Sequence, residues 1–141
     1  MKEKILISAC LLGVNCKYNG KNNYNAELIN KLQDKYDLVP VCPEIMGGLT
    51  TPRNPSEIIN NKVINDIGKD VTNNYQRGAK ETLYIAKTLK IKKAVLKSKS
   101  PSCGKGTIYD GTFTNTLIKR NGITAKLLIE NNISVITEKE L

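Results

Sequence analysis

The sequence predicts an α/β protein: a single Rossmann-like domain covering residues 1–141, with a mostly parallel sheet. Short apolar runs alternate with segments of helical periodicity, an order typical of parallel strands joined by helices. The length fits one domain, since domains usually hold roughly 100 to 200 residues. Hydrophobic residues make up 40% and charged residues 25% of the chain, which is the composition of a globular protein.

The first part of the chain predicts two strands around one helix. Residues 4–9 (KILISA) form the first strand, and a Gly- and Asn-rich loop follows them. Asn25 caps the helix, whose buried face carries apolar side chains at every fourth position: Leu28, Leu32 and Tyr36. Residues 37–42 (DLVPVC) form the second strand. The stretch PEIMGGLTTPRNPSE that follows is rich in Gly, Pro and Thr, so a long loop without regular helix is expected there.

The middle of the chain predicts a hairpin, a long helix and a third strand. Residues 58–64 (IINNKVI) form the hairpin around an Asn-Asn turn. Residues 73–90 have helical spacing of apolar side chains, and Thr72 is available as the cap of that helix. Residues 93–97 form the third strand.

The last part of the chain completes the alternation. Residues 106–113 (GTIYDGTF) predict an irregular turn or a hairpin, because Asp-Gly lies between apolar residues. Residues 124–131 form the last helix and residues 133–137 (ISVIT) the last strand. No apolar run approaches the ~18 residues of a membrane span, and no secretory signal pattern is present, so we expect a cytoplasmic protein without membrane contact.

The net charge and the lack of histidine limit the partners and the catalytic residues that the protein can use. The formal net charge of +9 favours anionic partners such as nucleotides or nucleic acid, although a solvated basic surface accounts for it equally well. The chain contains no histidine, which excludes Ser-His and Cys-His catalysis, HExxH zinc sites and Cys/His zinc fingers. Acid-base chemistry must therefore use carboxylates, hydroxyls, thiols or lysines.

Four cysteines stand at positions 10, 16, 42 and 103, and no CxxC pair is among them. Cys10 and Cys42 end the first two predicted strands, and Cys103 follows the third by a short loop. Ligands bind outside the carboxyl ends of parallel strands, so these three thiols are expected to converge. The alternative for each is a buried free cysteine that packs as a small apolar side chain.

Converging thiolates without histidine suit zinc or an iron–sulfur cluster. Either Cys16 completes a four-ligand structural or electron-transfer centre, or the fourth metal position stays open to a substrate.

Polar residues near these cysteines have the types that catalysis needs. Glu44 follows Cys42 by two positions and is a candidate for proton transfer, or else an exposed loop acid. Ser100 and Ser102 precede Cys103 and are candidate hydrogen-bond donors to a negatively charged atom, or else turn residues. Gly104 and Gly106 flank Lys105, which favours close approach of the backbone to a phosphate or a cluster.

The segments SACLLGVNCKYNG, VPVCPEIMGGLTTPR and SPSCGKGTIYDGTF together resemble the thiouracil desulfidases, a bacterial and archaeal family formerly known as a domain of unknown function. The resemblance implies a [4Fe-4S] cluster held by Cys10, Cys42 and Cys103. It also implies a catalytic glutamate and serine, which match Glu44 and either Ser100 or Ser102. The implied substrates are thiouracil and thiouridine monophosphates such as 4-thiouridine monophosphate, converted to uracil compounds with release of sulfide.

The mechanism predicted from these features is hydrolytic and non-redox. The unligated iron binds the thiocarbonyl sulfur, water attacks the ring carbon, and Glu44 acts as general base. Four basic side chains are candidates for holding a substrate phosphate: Arg53, Lys97, Lys99 and Lys105. If Cys16 is a fourth ligand instead, no iron is open to the substrate.

Other functions remain compatible with the same residues. One is a non-catalytic zinc- or cluster-binding module that binds RNA through its positive charge, and another is a sulfur-transfer protein. A thiolated base or nucleotide is expected as the partner, with tRNA less favoured, and the protein is expected to be a monomer or a homodimer.

Overall fold

The computed structural model describes residues 2–141. Its strands are β1 (Glu3–Ser8), β2 (Tyr36–Val41), β3 (Ser56–Ile59), β4 (Lys62–Asn65), β5 (Lys93–Leu96), β6 (Ile108–Tyr109), β7 (Leu117–Ile118) and β8 (Ser134–Thr137). Its α-helices are α1 (Ala26–Gln33), α2 (Pro43–Met46), α3 (Thr72–Thr88) and α4 (Ile123–Glu130). Two short 3-10 helices cover Ala9–Leu12 and Glu138–Glu140.

Four parallel strands form the central sheet in the order β2-β1-β5-β8. The register pairs Leu6 of β1 with Val39 of β2 on one side and with Ala94 of β5 on the other. Crossover connections join these strands along the chain, as parallel pairing requires. The predicted α/β fold with a mostly parallel sheet is confirmed. No helix within residues 2–141 is long and apolar enough to cross a membrane.

Both faces of the sheet are buried. Side chains alternate along β1, so Ile5 and Ile7 pack on the face covered by α1, whereas Leu6 packs on the opposite face against α3 and α4. Burial on both sides explains why the strands appear in the sequence as continuous apolar runs rather than as alternating ones.

Two details of the helices differ from the sequence prediction. Tyr36 is the first residue of β2, not the last turn of α1, because it pairs with Glu3 of β1. Thr72 does not cap α3: the residue at that position is Val71, which makes no side-chain cap, and the Thr72 hydroxyl accepts a hydrogen bond from the Val63 amide at 2.9 Å. Helix α3 ends at Thr88, two residues earlier than predicted.

The stretch after β2 contains a regular helix, contrary to the prediction of a long loop. Pro43 occupies the first turn of α2, where a missing amide hydrogen costs nothing. Helix α2 packs directly on α3 because two glycines allow the backbones to touch. A Cβ atom at Gly47 would collide with the Asn74 carbonyl, and one at Gly78 with the Pro43 carbonyl. This contact fixes the corner that carries Cys42 and Glu44.

Two antiparallel hairpins lie outside the central sheet. Strands β3 and β4 form the predicted hairpin, with Asn60 in the left-handed conformation (φ 57°) at its turn. Strand β6 pairs with β7, so the connection is the seven-residue segment 110–116, called here the 110–116 turn, and not a tight Asp-Gly turn. A separate apolar cluster joins both hairpins to α3: Ile58, Val63, Val71, Tyr75 and Ile108.

Candidate functional site

Three neighbouring strands deliver cysteines to one edge of the sheet. Cys10 lies in the 3-10 helix that begins directly after β1, Cys42 precedes the first residue of α2 after β2, and Cys103 lies in the turn after β5. Since β1 lies between β2 and β5, the carboxyl ends of the three strands are adjacent.

These cysteines line a single cavity of about 600 Å³. Cys16 lines the same cavity, and all four cysteines are free thiols. Glu44 and Ser100 are also part of its wall, whereas Ser102 is fully buried behind it. The residues singled out in the sequence are therefore assembled around one space, from segments up to 93 positions apart (Cys10 and Cys103).

Burial controls the acidity of Cys10 and Cys103. Burial raises the pKa of the Cys10 thiol, and a hydrogen bond with the Asn23 side chain acts in the opposite direction. It raises the pKa of the Cys103 thiol well above its usual range, and the negative charge of Glu44 adds to this effect while the Ser8 hydroxyl opposes it. A metal would act against this effect, because cysteine binds metals as the thiolate.

Cys16 and Cys42 are close neighbours. The Cys42 Sγ atom lies 3.9 Å from the Cys16 carbonyl oxygen. A hydrogen bond from the Cys16 thiol lowers the pKa of Cys42, and the same interaction, together with burial, raises the pKa of Cys16. The backbone amide of Ile45 at the start of α2 also favours the Cys42 thiolate. Of the two, Cys42 ionises more readily.

Glu44 is held in the cavity wall beside Arg53. Its side chain is 15% exposed, and its Oε2 atom lies 3.6 Å from Nη2 of Arg53, which is itself 9% exposed. Burial raises the pKa of the Glu44 carboxyl, and the charge of Arg53 opposes that effect without cancelling it. Sequence reasoning placed Arg53 among the phosphate ligands, and the pair with Glu44 was not foreseen.

Arg53 also fixes the loops around the site. Its guanidinium donates to the carbonyl oxygens of Cys16 at 2.9 Å and Thr50 at 3.2 Å. Its backbone amide donates to the Tyr18 carbonyl at 2.8 Å. Arg53 therefore connects the loop that carries Cys16 to the corner that carries Glu44.

The two serines have different surroundings. The Ser100 hydroxyl accepts hydrogen bonds from the amides of Ser102 and Cys103, both at 3.0 Å, and so shapes the turn that carries Cys103. The Ser102 hydroxyl lies 2.8 Å from the Thr124 hydroxyl and is among the groups that favour the ionised form of Glu44.

The lysines that are candidate phosphate ligands differ in whether a carboxylate lies at salt-bridge distance. Lys97 lines the cavity but lies 3.1 Å from Glu138, and Lys105 lies outside the cavity wall, 3.0 Å from Glu140. Lys99 lines the cavity, and within residues 2–141 it has no carboxylate at salt-bridge distance.

Several residues of the site were missed from the sequence. The Ser8 hydroxyl accepts from the Lys97 amide at 2.9 Å and reaches Cys103, which ties the ends of β1 and β5 together. Tyr75 and Phe113 line the cavity as well. A serine at a strand end or an aromatic residue on a helix face carries no local signal, because both roles arise only when distant segments meet.

The donor set is compatible with an iron–sulfur cluster. Within residues 2–141, no three cysteine or carboxylate side chains are grouped tightly enough to surround one ion. The thiols are nonetheless close enough that the charge of one affects the pKa of the others. The ligands of a cubane sit on different iron atoms, so thiols spread around one cavity suit it.

Comparison with known proteins agrees with this geometry. The family model of the 2-thiouracil desulfurases matches residues 5–140. The Bacillus subtilis (strain 168) protein YbbK is 44% identical over 147 aligned positions, covering 97% of each chain. The solved structure of the [4Fe-4S]-dependent thiouracil desulfidase TudS (DUF523Vcz) is 38% identical and matches with a TM-score of 0.92, over 99% of this chain and 93% of that chain. The resemblance inferred from the three sequence segments is confirmed, and the chain belongs to the 2-thiouracil desulfurase family.

Proposed function

We propose that the protein is a [4Fe-4S]-dependent desulfidase that replaces the thiocarbonyl sulfur of thiouracil or thiouridine monophosphate with oxygen and releases sulfide. The observation that carries the proposal is the convergence of Cys10, Cys42 and Cys103 with the buried carboxyl of Glu44 around one cavity. The chemistry needs only water as co-reactant: the carbon–sulfur double bond is exchanged for a carbon–oxygen double bond, and hydrogen sulfide leaves.

Cys10, Cys42 and Cys103 would hold the cluster, because they follow three adjacent strands of a rigid sheet. Cys16 comes from a loop, and its carbonyl is held by Arg53. We assign Cys16 a supporting role, as a hydrogen-bond donor to Cys42, and not a role as a fourth ligand. When bound, the cluster supplies a thiophilic, Lewis-acidic iron that polarises a thiocarbonyl group.

Glu44 would move the proton. Its raised pKa brings the carboxyl closer to the range in which a group both accepts and returns a proton near neutral pH. In the proposed step, a Glu44 carboxylate oxygen takes a proton from the attacking water and later gives it to the departing sulfur. Arg53 keeps the carboxylate aimed into the cavity between transfers.

The serines would stabilise this arrangement. Ser102 holds a hydroxyl next to Glu44 on the side away from the cavity and is fixed in turn by Thr124. Ser100 lines the cavity and orients the turn that carries Cys103. In this proposal Ser102 supports the base, whereas Ser100 is the serine that faces the substrate.

The cavity suits a small molecule. Its volume of about 600 Å³ lies in the range of small-molecule sites, roughly 300 to 1,000 Å³. In this proposal the cavity holds both the cluster and the pyrimidine ring. Lys17 and Lys99 both line it without a carboxylate at salt-bridge distance within residues 2–141, and we assign the phosphate of a nucleotide substrate to Lys99. We further propose that the chain acts as one domain, since the residues of the site come from positions 10 to 103 and the strands that carry them share one sheet with β8.

The test is anaerobic reconstitution with iron and sulfide, followed by counts of both elements and by a sulfide-release assay with thiouracil and 4-thiouridine monophosphate. We expect four iron atoms per chain and release of one sulfide per uracil formed. Cys10→Ser should lose the cluster absorbance, whereas Cys16→Ser should retain it. Zinc instead of iron would contradict the proposal in favour of a non-catalytic module. Sulfur recovered only on an added acceptor molecule, with no free sulfide, would favour a sulfur-transfer protein.

A further inference from the structure

Phe113 occupies an unusual place for the one phenylalanine of a chain that also lacks tryptophan. A phenylalanine side chain usually lies in the core, where its large apolar ring is buried. Phe113 instead remains 37% exposed and lines the cysteine cavity.

The backbone of Phe113 is in the left-handed region, with φ at 58°. A bulky residue without special hydrogen-bonding ability rarely adopts this conformation. Asn115, two positions later, is also left-handed (φ 60°) and also lines the cavity, although asparagine tolerates this region more readily. Strained residues of this kind persist only where their surroundings over-determine them, and they concentrate at functional sites.

The carboxylate of Glu57 supplies the main restraint. Glu57 is 8% exposed, and its Oε1 atom accepts from the amides of Gly111 at 3.0 Å and Phe113 at 3.2 Å. Gly111 must be glycine here, because its φ is 97° and a Cβ atom would lie 2.7 Å from the Ile58 carbonyl oxygen. The hairpin β3–β4, which carries Glu57 and Ile58, thus holds the 110–116 turn through contacts with Gly111 and Phe113.

A row of hydroxyl groups holds the same turn from the solvent side. The Thr112 hydroxyl bonds to Asp110 at 2.6 Å and to the Thr114 hydroxyl at 2.6 Å. The Thr114 hydroxyl continues the row to Thr116 at 2.8 Å, and the Thr116 carbonyl accepts from the Asp110 amide at 2.9 Å. Hydrogen bonds therefore restrain the backbone on both sides of Phe113, whose ring lines the cavity.

A rigid aromatic ring at the wall of a cavity recognises a flat, conjugated ligand by stacking, a contact that tolerates variation in the ligand's substituents. We propose that Phe113 is the stacking surface for the pyrimidine ring of the substrate, and that Glu57 is the positioning residue that holds Phe113 in its left-handed conformation. This inference rests on the proposed function, since it assumes a thiolated pyrimidine as the substrate.

The experiment compares two unreactive ligands on the cluster-loaded protein by anaerobic calorimetry. Uracil is flat and conjugated, whereas 5,6-dihydrouracil has the same carbonyl and amide groups on a puckered ring. We expect Phe113→Leu to weaken uracil binding roughly tenfold while leaving dihydrouracil binding within about twofold, since stacking on an aromatic ring is the contact removed. Phe113→Tyr should preserve the wild-type preference for uracil.

Two further variants separate positioning from general damage. Glu57→Gln keeps an oxygen acceptor and should preserve the preference for uracil, whereas Glu57→Ala should reduce it like Phe113→Leu. Tyr84→Leu removes an aromatic ring that is 68% exposed and outside the cavity wall, and should change nothing. If wild-type protein releases sulfide from thiouracil but Phe113→Leu keeps the wild-type preference for uracil, this inference is wrong and the proposed function still stands. Wild-type protein that releases no sulfide from thiouracil would overturn the proposed function, and this inference with it.

Discussion

Two carboxylates near the cysteine cavity both expose little surface, yet their pKa values are shifted in opposite directions. Glu44, at the corner between β2 and α2, is 15% exposed and faces Arg53. Glu138, in the 3-10 helix that follows β8, is 9% exposed and faces Lys97. The pKa of Glu44 is raised by burial. Burial acts on Glu138 as well, but hydrogen bonds from Ser98 and the charge of Lys97 outweigh it and hold the pKa below its usual value.

The difference lies in the deeper burial of Glu44 and in the closeness of the fixed donors around Glu138. The Glu138 carboxylate accepts from the Ser98 amide at 2.7 Å, from the Ser98 hydroxyl at 3.1 Å and from Lys97 at 3.1 Å. Glu44 has its basic partner at the longer distance of 3.6 Å. A carboxylate with several short, fixed donors stays ionised and serves as an anchor, whereas a more deeply buried one whose basic partner is farther away is left able to exchange a proton.

The largest expected effect follows from removing the proton-exchanging carboxylate. Glu44→Gln should lower kcat for thiouracil by at least about 100-fold, the usual contribution of a general base, while iron and sulfide counts stay at wild-type values. Glu138→Gln is the matched control, and its kcat should stay within about threefold of wild type, because an anchor transfers no proton. Equal losses in the two variants would contradict the contrast between them.

Removing the anchor should affect stability instead. Glu138→Ala leaves the Ser98 amide without its partner and Lys97 without its counter-charge, and should lower the free energy of unfolding by about 1 to 3 kcal/mol. Urea denaturation measures this loss. The control is Glu3→Ala, which breaks a half-exposed pair with Lys93 at 3.6 Å and should cost less than about 1 kcal/mol.

Acidification should abolish the difference between wild type and Glu138→Ala. The pKa of Glu138 is lowered in the native state, so its contribution is complete above the unfolded-state value of about 4.3 and disappears as the pH falls through the native pKa. The two unfolding free energies should therefore converge once the pH falls below the native pKa of Glu138, which lies below the unfolded-state value. A difference that stays constant on acidification would show that lost packing, and not lost charge, destabilises the variant.

The smallest effect concerns the two lysines of the same loop. Lys97 is bound by Glu138, whereas Lys99 faces the cavity without such a partner in the described chain. Lys99→Gln should raise KM for 4-thiouridine monophosphate about fivefold, by loss of one phosphate contact, and leave KM for thiouracil unchanged. Lys80→Gln, on the exposed face of α3, is the control. An equal rise for both substrates would mean that Lys99 does not hold the phosphate.

The alternation of apolar runs and helical periodicity was enough to predict the parallel sheet, because burial on both faces leaves a strong local pattern. The position of cysteines at strand ends could also be predicted, since Cys10 and Cys42 directly follow runs that had to be strands. Local pattern failed at Tyr36, where pairing with Glu3 overrode a helical spacing, and at α2, where Gly47 and Gly78 permit a helix in a stretch that otherwise predicts a loop.

Contacts between distant segments could be decided only by the tertiary structure. The residues Glu44 and Arg53 are visible in the sequence, but only folding brings them to 3.6 Å with both side chains mostly buried, and that burial raises the pKa of Glu44. Likewise, Phe113 owes its place at the cavity to a hydrogen bond from its amide to Glu57, which lies 56 positions earlier. The sequence alone determined which chemical groups are available and which elements carry them. The packing of those elements determined their separation and their access to water, and the acidity of each group depends on both.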